Sequence, residues 1–228
     1  EEYYAQCELE GANEHQVEES QKAVAKMEVI IGDPDRLRAV AEDFIKHYET
    51  RVAEGATVAG KAMFVCSNRN IAYDFYKIVK ELRPEWTEKK ICDDGVVLSE
   101  KDKKELKPME KIKLVMTRNK DDEKDLFDML GTKEDRKEFD RQFKNPKSNF
   151  KIAIVVDMWL TGFDVPELDT IYIDKPIQQH TLIQTISRVN RVCEGKDKGL
   201  IVDYIGIKKN MNTALKKYTN FESEEFEG

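Results

Sequence analysis

The sequence predicts an α/β fold, a doubly wound parallel sheet with flanking helices. Short, nearly unbroken apolar runs recur at Lys61–Cys66, Ile112–Met116, Lys151–Val156, Ile171–Ile173 and Leu200–Tyr204. Strands of that composition are the kind buried on both faces of a sheet. Between them lie stretches with helical spacing, and strand–helix alternation of this sort builds parallel sheets. No internal repeat or low-complexity segment interrupts the pattern.

Taken in order, residues 1–25 are acidic and poor in β-branched side chains, more like a connector than a core element. Asp33-Pro34 starts a helix, because proline at the first helical position gives up no hydrogen bond. Leu37, Val40, Ala41, Phe44, Ile45 and Tyr48 then form one apolar face, running to about Arg51. The first buried strand follows at Lys61–Cys66. Ile71–Leu82 is helical, with Ile71, Phe75, Ile78, Val79 and Leu82 on one face. A weaker strand is expected at Gly95–Leu98, and Glu100–Lys111 reads as a solvated loop or helix face. Thr132 and Asp135 make a capping box for a charged helix reaching about Phe143. Gln178–Cys193 is helical again, with Leu182, Ile186, Val189 and Cys193 along its apolar stripe.

Length and charge narrow the function classes. The chain has 228 residues, enough for one large or two small domains. Its net charge of −7 argues against a protein whose whole surface binds nucleic acid, though not against a local basic groove. No apolar run approaches a membrane span, and there is no signal-peptide pattern, so no membrane partner is expected. Cys7, Cys66, Cys92 and Cys193 are scattered, as are His15, His47 and His180, so no metal site is expected. Cys66 closes an apolar run and reads as a reduced core thiol, which suits a cytoplasmic location. The ends carry no natural boundary signals, and the chain reads as a piece of a longer protein.

Two segments carry the chemistry. In Gln184-Thr-Ile-Ser-Arg188-Val-Asn-Arg191, helical spacing puts Gln184, Ser187, Arg188 and Arg191 on the side opposite the apolar stripe. Two guanidiniums and an amide aimed at one spot suit a phosphate, while a solvated helix face is the alternative. Gly55-Ala-Thr-Val-Ala-Gly60-Lys61 fits most of a phosphate-binding P-loop but is rejected as one. Ala62 offers no hydroxyl for Mg²⁺, and the segment enters a strand where a P-loop leaves one for a helix. Phosphate-facing arginines without a phosphate cradle are expected where ATP sits between two domains. Arginines brought across such a cleft contribute on the order of 10³–10⁵ in rate.

At these residues the chain resembles the second RecA-like domain of superfamily-two helicases. Gln184-x-x-x-Arg188-x-x-Arg191 is similar to motif VI. Asp157-x-x-x-Thr161-Gly162-x-Asp164-x-Pro166 is similar to motif V, and Lys61–Cys66 with Ser67-Asn-Arg69 occupies the place of motif IV. Read continuously, the match narrows. Val156-Asp-Met-Trp-Leu-Thr-Gly-Phe-Asp-Val-Pro166, Tyr172-Ile-Asp-Lys-Pro176, the Gln184–Arg191 string and Val202-Asp-Tyr-Ile-Gly206 resemble the motor subunit of type I restriction enzymes over roughly residues 60–207. Ser187 stands where the superfamily usually has glycine, and Val156 where it has a hydroxyl residue. The first difference implies altered helix packing, and the second removes a side-chain phosphate contact.

The resemblance implies residues 1–55 as connector and helix, and 56–228 as the second motor domain. It implies ATP and Mg²⁺ as cofactors, both held mainly by a first motor domain elsewhere in the chain. Arg188 and Arg191 become transition-state residues, and Gln184 a sensor of the γ-phosphate. Gly162 lets the backbone approach nucleotide, and Asp164 accepts from a ribose hydroxyl or holds an arginine. Ser67, Arg69 and Thr117, just past strand ends, are expected on the DNA backbone, with ordinary solvated side chains as the alternative. Trp159 is expected to pack more readily than to stack on a base. Implied partners are double-stranded DNA, the first motor and nuclease domains of the same chain, and the methyltransferase and specificity subunits. Another superfamily-two remodeller and a non-catalytic docking module are the competing readings.

Overall fold

The computed structural model describes residues 22, 25–160, 162–177, 179–196 and 198–206. The proposed connector at residues 1–25, with Cys7 and His15, lies almost wholly outside the described residues, as do Thr161 and Ile207. Residues 25–31 are helical and lead into helix α1 (Pro34–Ala53). Strand β1 (Lys61–Cys66), helix α2 (Arg69–Leu82), helix α3 (Glu100–Glu105), strand β2 (Ile112–Val115), helix α4 (Lys124–Leu130) and helix α5 (Lys133–Lys144) follow. The chain continues through strand β3 (Ile152–Val155), strand β4 (Leu168–Asp174), helix α6 (Gln179–Val189) and strand β5 (Leu200–Asp203).

The five strands pair in the order β2-β3-β1-β4-β5, all parallel, which is a RecA-like doubly wound sheet. Side-chain alternation divides the core into two layers. Ala62, Phe64 and Cys66 of β1 face α1, α2 and α4, together with Ile152, Ile154 and Tyr172. Met63 and Val65 face the other way, toward Phe143, Phe150, Phe163, Leu182 and Val189. Helices therefore cover both faces, which is why the strands read as continuous apolar runs.

Local signals place the helices. Asp33 caps α1 through the Arg36 amide, at 2.9 Å. Thr132 and Asp135 form the expected reciprocal capping box on α5. Ser99 and Asp102 form another on α3, so the first part of the stretch read as a solvated loop or helix face is a helix. The strand expected at Gly95–Leu98 does not form. Gly95 turns the chain at φ +83°, and the nearby pairing reduces to an isolated bridge between Lys90 and Met109. Strand β4 is longer than its apolar signal, because Leu168–Thr170 already pair with Lys61 and Ala62.

Helix α1 is packed into the sheet core, with Phe44 fully buried edge-on against Phe64 and Tyr172, at ring-centre separations of 5.2 and 4.8 Å. A charged tie crosses the same layer. Arg36 grips Asp174 at the end of β4 with both terminal nitrogens, at 3.1 and 2.5 Å, and donates to the Ile31 carbonyl at 3.0 Å. Cys66 is a buried free thiol whose pKa is pushed up by burial, as a core thiol's should be. The lysine ending the P-loop-like string, Lys61, is fully buried, and its amine donates to the Phe150 carbonyl at 2.5 Å. Burial pushes its pKa down. That amine is committed to the protein interior, so the rejection of a P-loop holds. Among the described residues no helix is long and apolar enough to cross a membrane.

Candidate functional site

Parallel strands put everything that follows a strand at one edge of the sheet and everything that leads into one at the opposite edge. The expected site residues divide between these two edges.

Ser67, Arg69 and Thr117 sit past the ends of β1 and β2, as the sequence places them. Asn68 caps α2 by accepting from the Ile71 amide at 3.0 Å, which fixes Arg69 in the first helical turn. One terminal nitrogen of Arg69 reaches both Asp122 oxygens, at 2.5 Å each, and the other donates to the Thr117 carbonyl at 2.7 Å. Asp122 also accepts from the Asn119 amide at 2.6 Å. Arg69 therefore binds the loop after β2 to the start of α2, and Thr117 stays exposed beside it. Ser67 donates to the Asp174 carbonyl at 2.8 Å, joining β1 to β4 at the same edge. Lys175 bridges to Asp157 and donates to the Val156 carbonyl at 3.1 Å. Sequence reading missed Asp122 and the Lys175–Asp157 pair. Neither leaves a local signal, since the partners lie 53 and 18 positions apart.

The second group surrounds α6. Leu182 and Val189 anchor this helix on the sheet, and buried Thr185 returns its hydroxyl to the Thr181 carbonyl at 2.8 Å. Gln184 and Arg188 are half-buried. The Arg188 Nε is buried and finds no hydrogen-bond partner among the described residues. The expected helix to Cys193 overruns the observed one, which stops at Val189. The chain must turn there to enter β5, and Gly199 passes directly beneath the Val189 carbonyl, where any Cβ would meet that oxygen at 2.1 Å. Cys193 instead pairs with Lys196 in an isolated bridge. Arg191 consequently leaves the helix face it was expected to share with Gln184 and Arg188. It stands two residues beyond the helix end and donates to Asp164 at 2.6 Å.

That contact joins the turn after α6 to the loop before β4. Both partners are about half exposed, at 48% and 51%. An ion pair so solvated contributes only about 0–1 kcal/mol to stability, and one arm of the guanidinium is used in it. Gly162 holds φ at +70°, a conformation glycine adopts freely, and nothing lies within 4 Å of where its Cβ would be. Backbone is thus open to approach beside an exposed carboxylate and an exposed guanidinium. Lys196 donates to the Pro166 carbonyl at 2.8 Å, and burial lowers its pKa. This contact ties the turn after α6 to the loop before β4. Among the described residues, no cluster of three metal-ligating side chains occurs.

A family model described as type I restriction enzyme subunit R domain 3 matches residues 58–206. The type I restriction enzyme HindI endonuclease subunit of Haemophilus influenzae is 37% identical over 206 residues, covering 89% of this chain and 18% of that protein. A Methanocaldococcus jannaschii protein described as the type I restriction enzyme MjaIXP endonuclease subunit is 39% identical over 211 residues, covering 92% and 18%. The chain therefore spans less than a fifth of the length of these relatives. Among solved structures, a fragment from Vibrio vulnificus YJ016, described as an HsdR subunit of a type I restriction enzyme, aligns with a TM-score of 0.52. It shares 15% identity over 78% of this chain and 30% of that one, a likeness of fold.

Proposed function

The chain belongs to the family of type I restriction enzyme subunit R domain 3, and from that premise we propose that it supplies one half of an ATP site in a DNA-translocating motor. The observation that carries this reading is the Arg191–Asp164 contact, which brings motif VI to motif V beside the open backbone of Gly162. Arg191 and Arg188 face the nucleotide's phosphates across an interdomain cleft, and Gln184 reports the γ-phosphate to the helix. Gly162 and Asp164 border the ribose. The half-exposed pair keeps Arg191 extended until the other half of the site closes on it. A first RecA-like domain cradles ATP and Mg²⁺, which supplies charge neutralisation at the transferring phosphoryl group.

DNA runs along the opposite edge. There Ser67, Arg69 and Thr117 form a rim in which Arg69 holds the loop after β2 in place and offers its remaining N–H donors to a phosphate. In the whole subunit this domain works with a nuclease domain in the same chain, and with methyltransferase and specificity subunits, in the cytoplasm. The length match favours this reading over another superfamily-two remodeller, since the family model spans residues 58–206.

A motor that steps over any sequence must hold phosphates and not bases. Affinity of the full-length subunit for duplex DNA is expected to fall steeply with salt and to be the same for unrelated duplexes. Arg69→Ala removes one cation and leaves the Asp122 carboxylate without its partner. It should weaken binding equally on both duplexes and flatten the salt slope by about one unit. Titrations at several salt concentrations decide the point. An unchanged slope, or a loss confined to one duplex, removes Arg69 from the DNA path.

A further inference from the structure

Trp159 is the one non-glycine residue with a positive φ among the described residues, at 68°. That region disfavours a bulky side chain, and residues held there are over-determined by their surroundings. Glycine would adopt the turn without strain, so the strained turn is worth keeping only for the indole. The indole stacks face to face on Phe163, with ring centres 4.1 Å apart and planes within 2°. Behind it, the fully buried Phe143 ring lies 5.3 Å away. Lys144 caps the Phe163 ring at 4.9 Å.

The consequence falls one residue further on. Phe163 and Val165 are buried, at 5% and 3% exposure, and Asp164 between them is exposed. The depth at which Phe163 sits therefore fixes where the Asp164 carboxylate emerges, and Asp164 is what holds Arg191. We infer that Trp159 is a positioning residue: by stacking on Phe163 it sets the Asp164 carboxylate in the place where it meets Arg191. Trp159 needs no contact with nucleotide to do this. The inference rests on the motor reading only for what the positioned arginine is used for.

Two readouts separate the inference from that reading. In the isotopically labelled chain, the cross-peak of the Arg191 Nη1 protons, which make the contact, reports the ion pair, and Asp164→Asn supplies the reference position for a broken one. Trp159→Ala and Trp159→Gly should move the cross-peak toward that reference, and Trp159→Phe should leave it in place. The glycine variant matters because it relieves the backbone while removing the ring. If the alanine and glycine variants lose a dispersed spectrum, Phe163→Leu removes the same stack from its other side and should move the cross-peak. In the full-length subunit, Trp159→Ala should slow ATP turnover by about tenfold to a hundredfold, as a misplaced contact does. The double variant with Asp164→Asn should stay within about twofold of Asp164→Asn alone, because the two act in series. A wild-type cross-peak in Trp159→Ala or in Phe163→Leu overturns the inference, as does a fully additive double variant. If the cross-peak moves as expected while Arg191→Lys keeps full turnover, the motor reading fails and the positioning role stands.

Discussion

Arg191→Ala in the full-length subunit is expected to abolish ATP-driven translocation while leaving ATP binding close to wild type. On the proposed reading the guanidinium acts where charge develops during phosphoryl transfer, so its removal should cost transition-state stabilisation and little ground-state affinity. Arginines brought across a cleft contribute on the order of 10³–10⁵ in rate, and the loss should fall in that range. The structure sharpens the expectation for Arg191→Lys. The 2.6 Å contact to Asp164 uses one arm of a planar fork and leaves the rest of the guanidinium for a phosphate. A lysine carries one compact ammonium and cannot hold both partners in that geometry. Turnover of the lysine variant should therefore resemble that of the alanine variant. Near-normal turnover would make Arg191 an ordinary exposed residue.

The largest effect on stability is expected from Arg36→Ala. Asp174 has a side chain with 0% exposure, and Arg36 supplies its two charged contacts. Removing the arginine leaves a buried carboxylate uncompensated, which costs about 3–5 kcal/mol. It also releases the Ile31 and Tyr204 carbonyls that Arg36 engages at 3.0 and 3.4 Å. A loss of that size should lower the melting temperature of a domain this large by roughly 10 °C. Replacing both partners by apolar residues of similar volume should cost much less, since no orphaned charge remains. Denaturant midpoints of the single and paired variants measure this. A single variant within about 1 kcal/mol of wild type would mean that water reaches Asp174.

Much of this fold is legible along the chain because its signals are local. The buried strand Lys61–Cys66 and the box formed by Thr132 and Asp135 each depend on residues within one element. The Gly95–Leu98 expectation fails because an apolar run does not pair by itself, and Gly95 sits in a turn at positive φ. The end of α6 was hidden for a related reason. Helical periodicity continues to Cys193, but Gly199 passing under Val189 is a tertiary contact with no local mark. The candidate site divides the same way. Residue types and spacing point to Arg188 and Arg191, and the resemblance in the preceding loop points to Asp164. That Arg191 lies off the helix, paired with a residue 27 positions away, requires the fold. Arg69 shows the limit most plainly, since its partner Asp122 comes from the loop after β2, 53 positions away.

The proposed function gives this chain half of an ATP site, with arginines facing a cleft and the phosphate cradle on another domain. Its most direct test is ATP turnover by the chain alone, in a preparation free of contaminating ATPases, with and without Mg²⁺. A half-site should bind ATP weakly and hydrolyse none, at any metal concentration. Metal-dependent hydrolysis that survives purification and disappears in Arg191→Ala would contradict it, because the chain would then carry a complete site of its own.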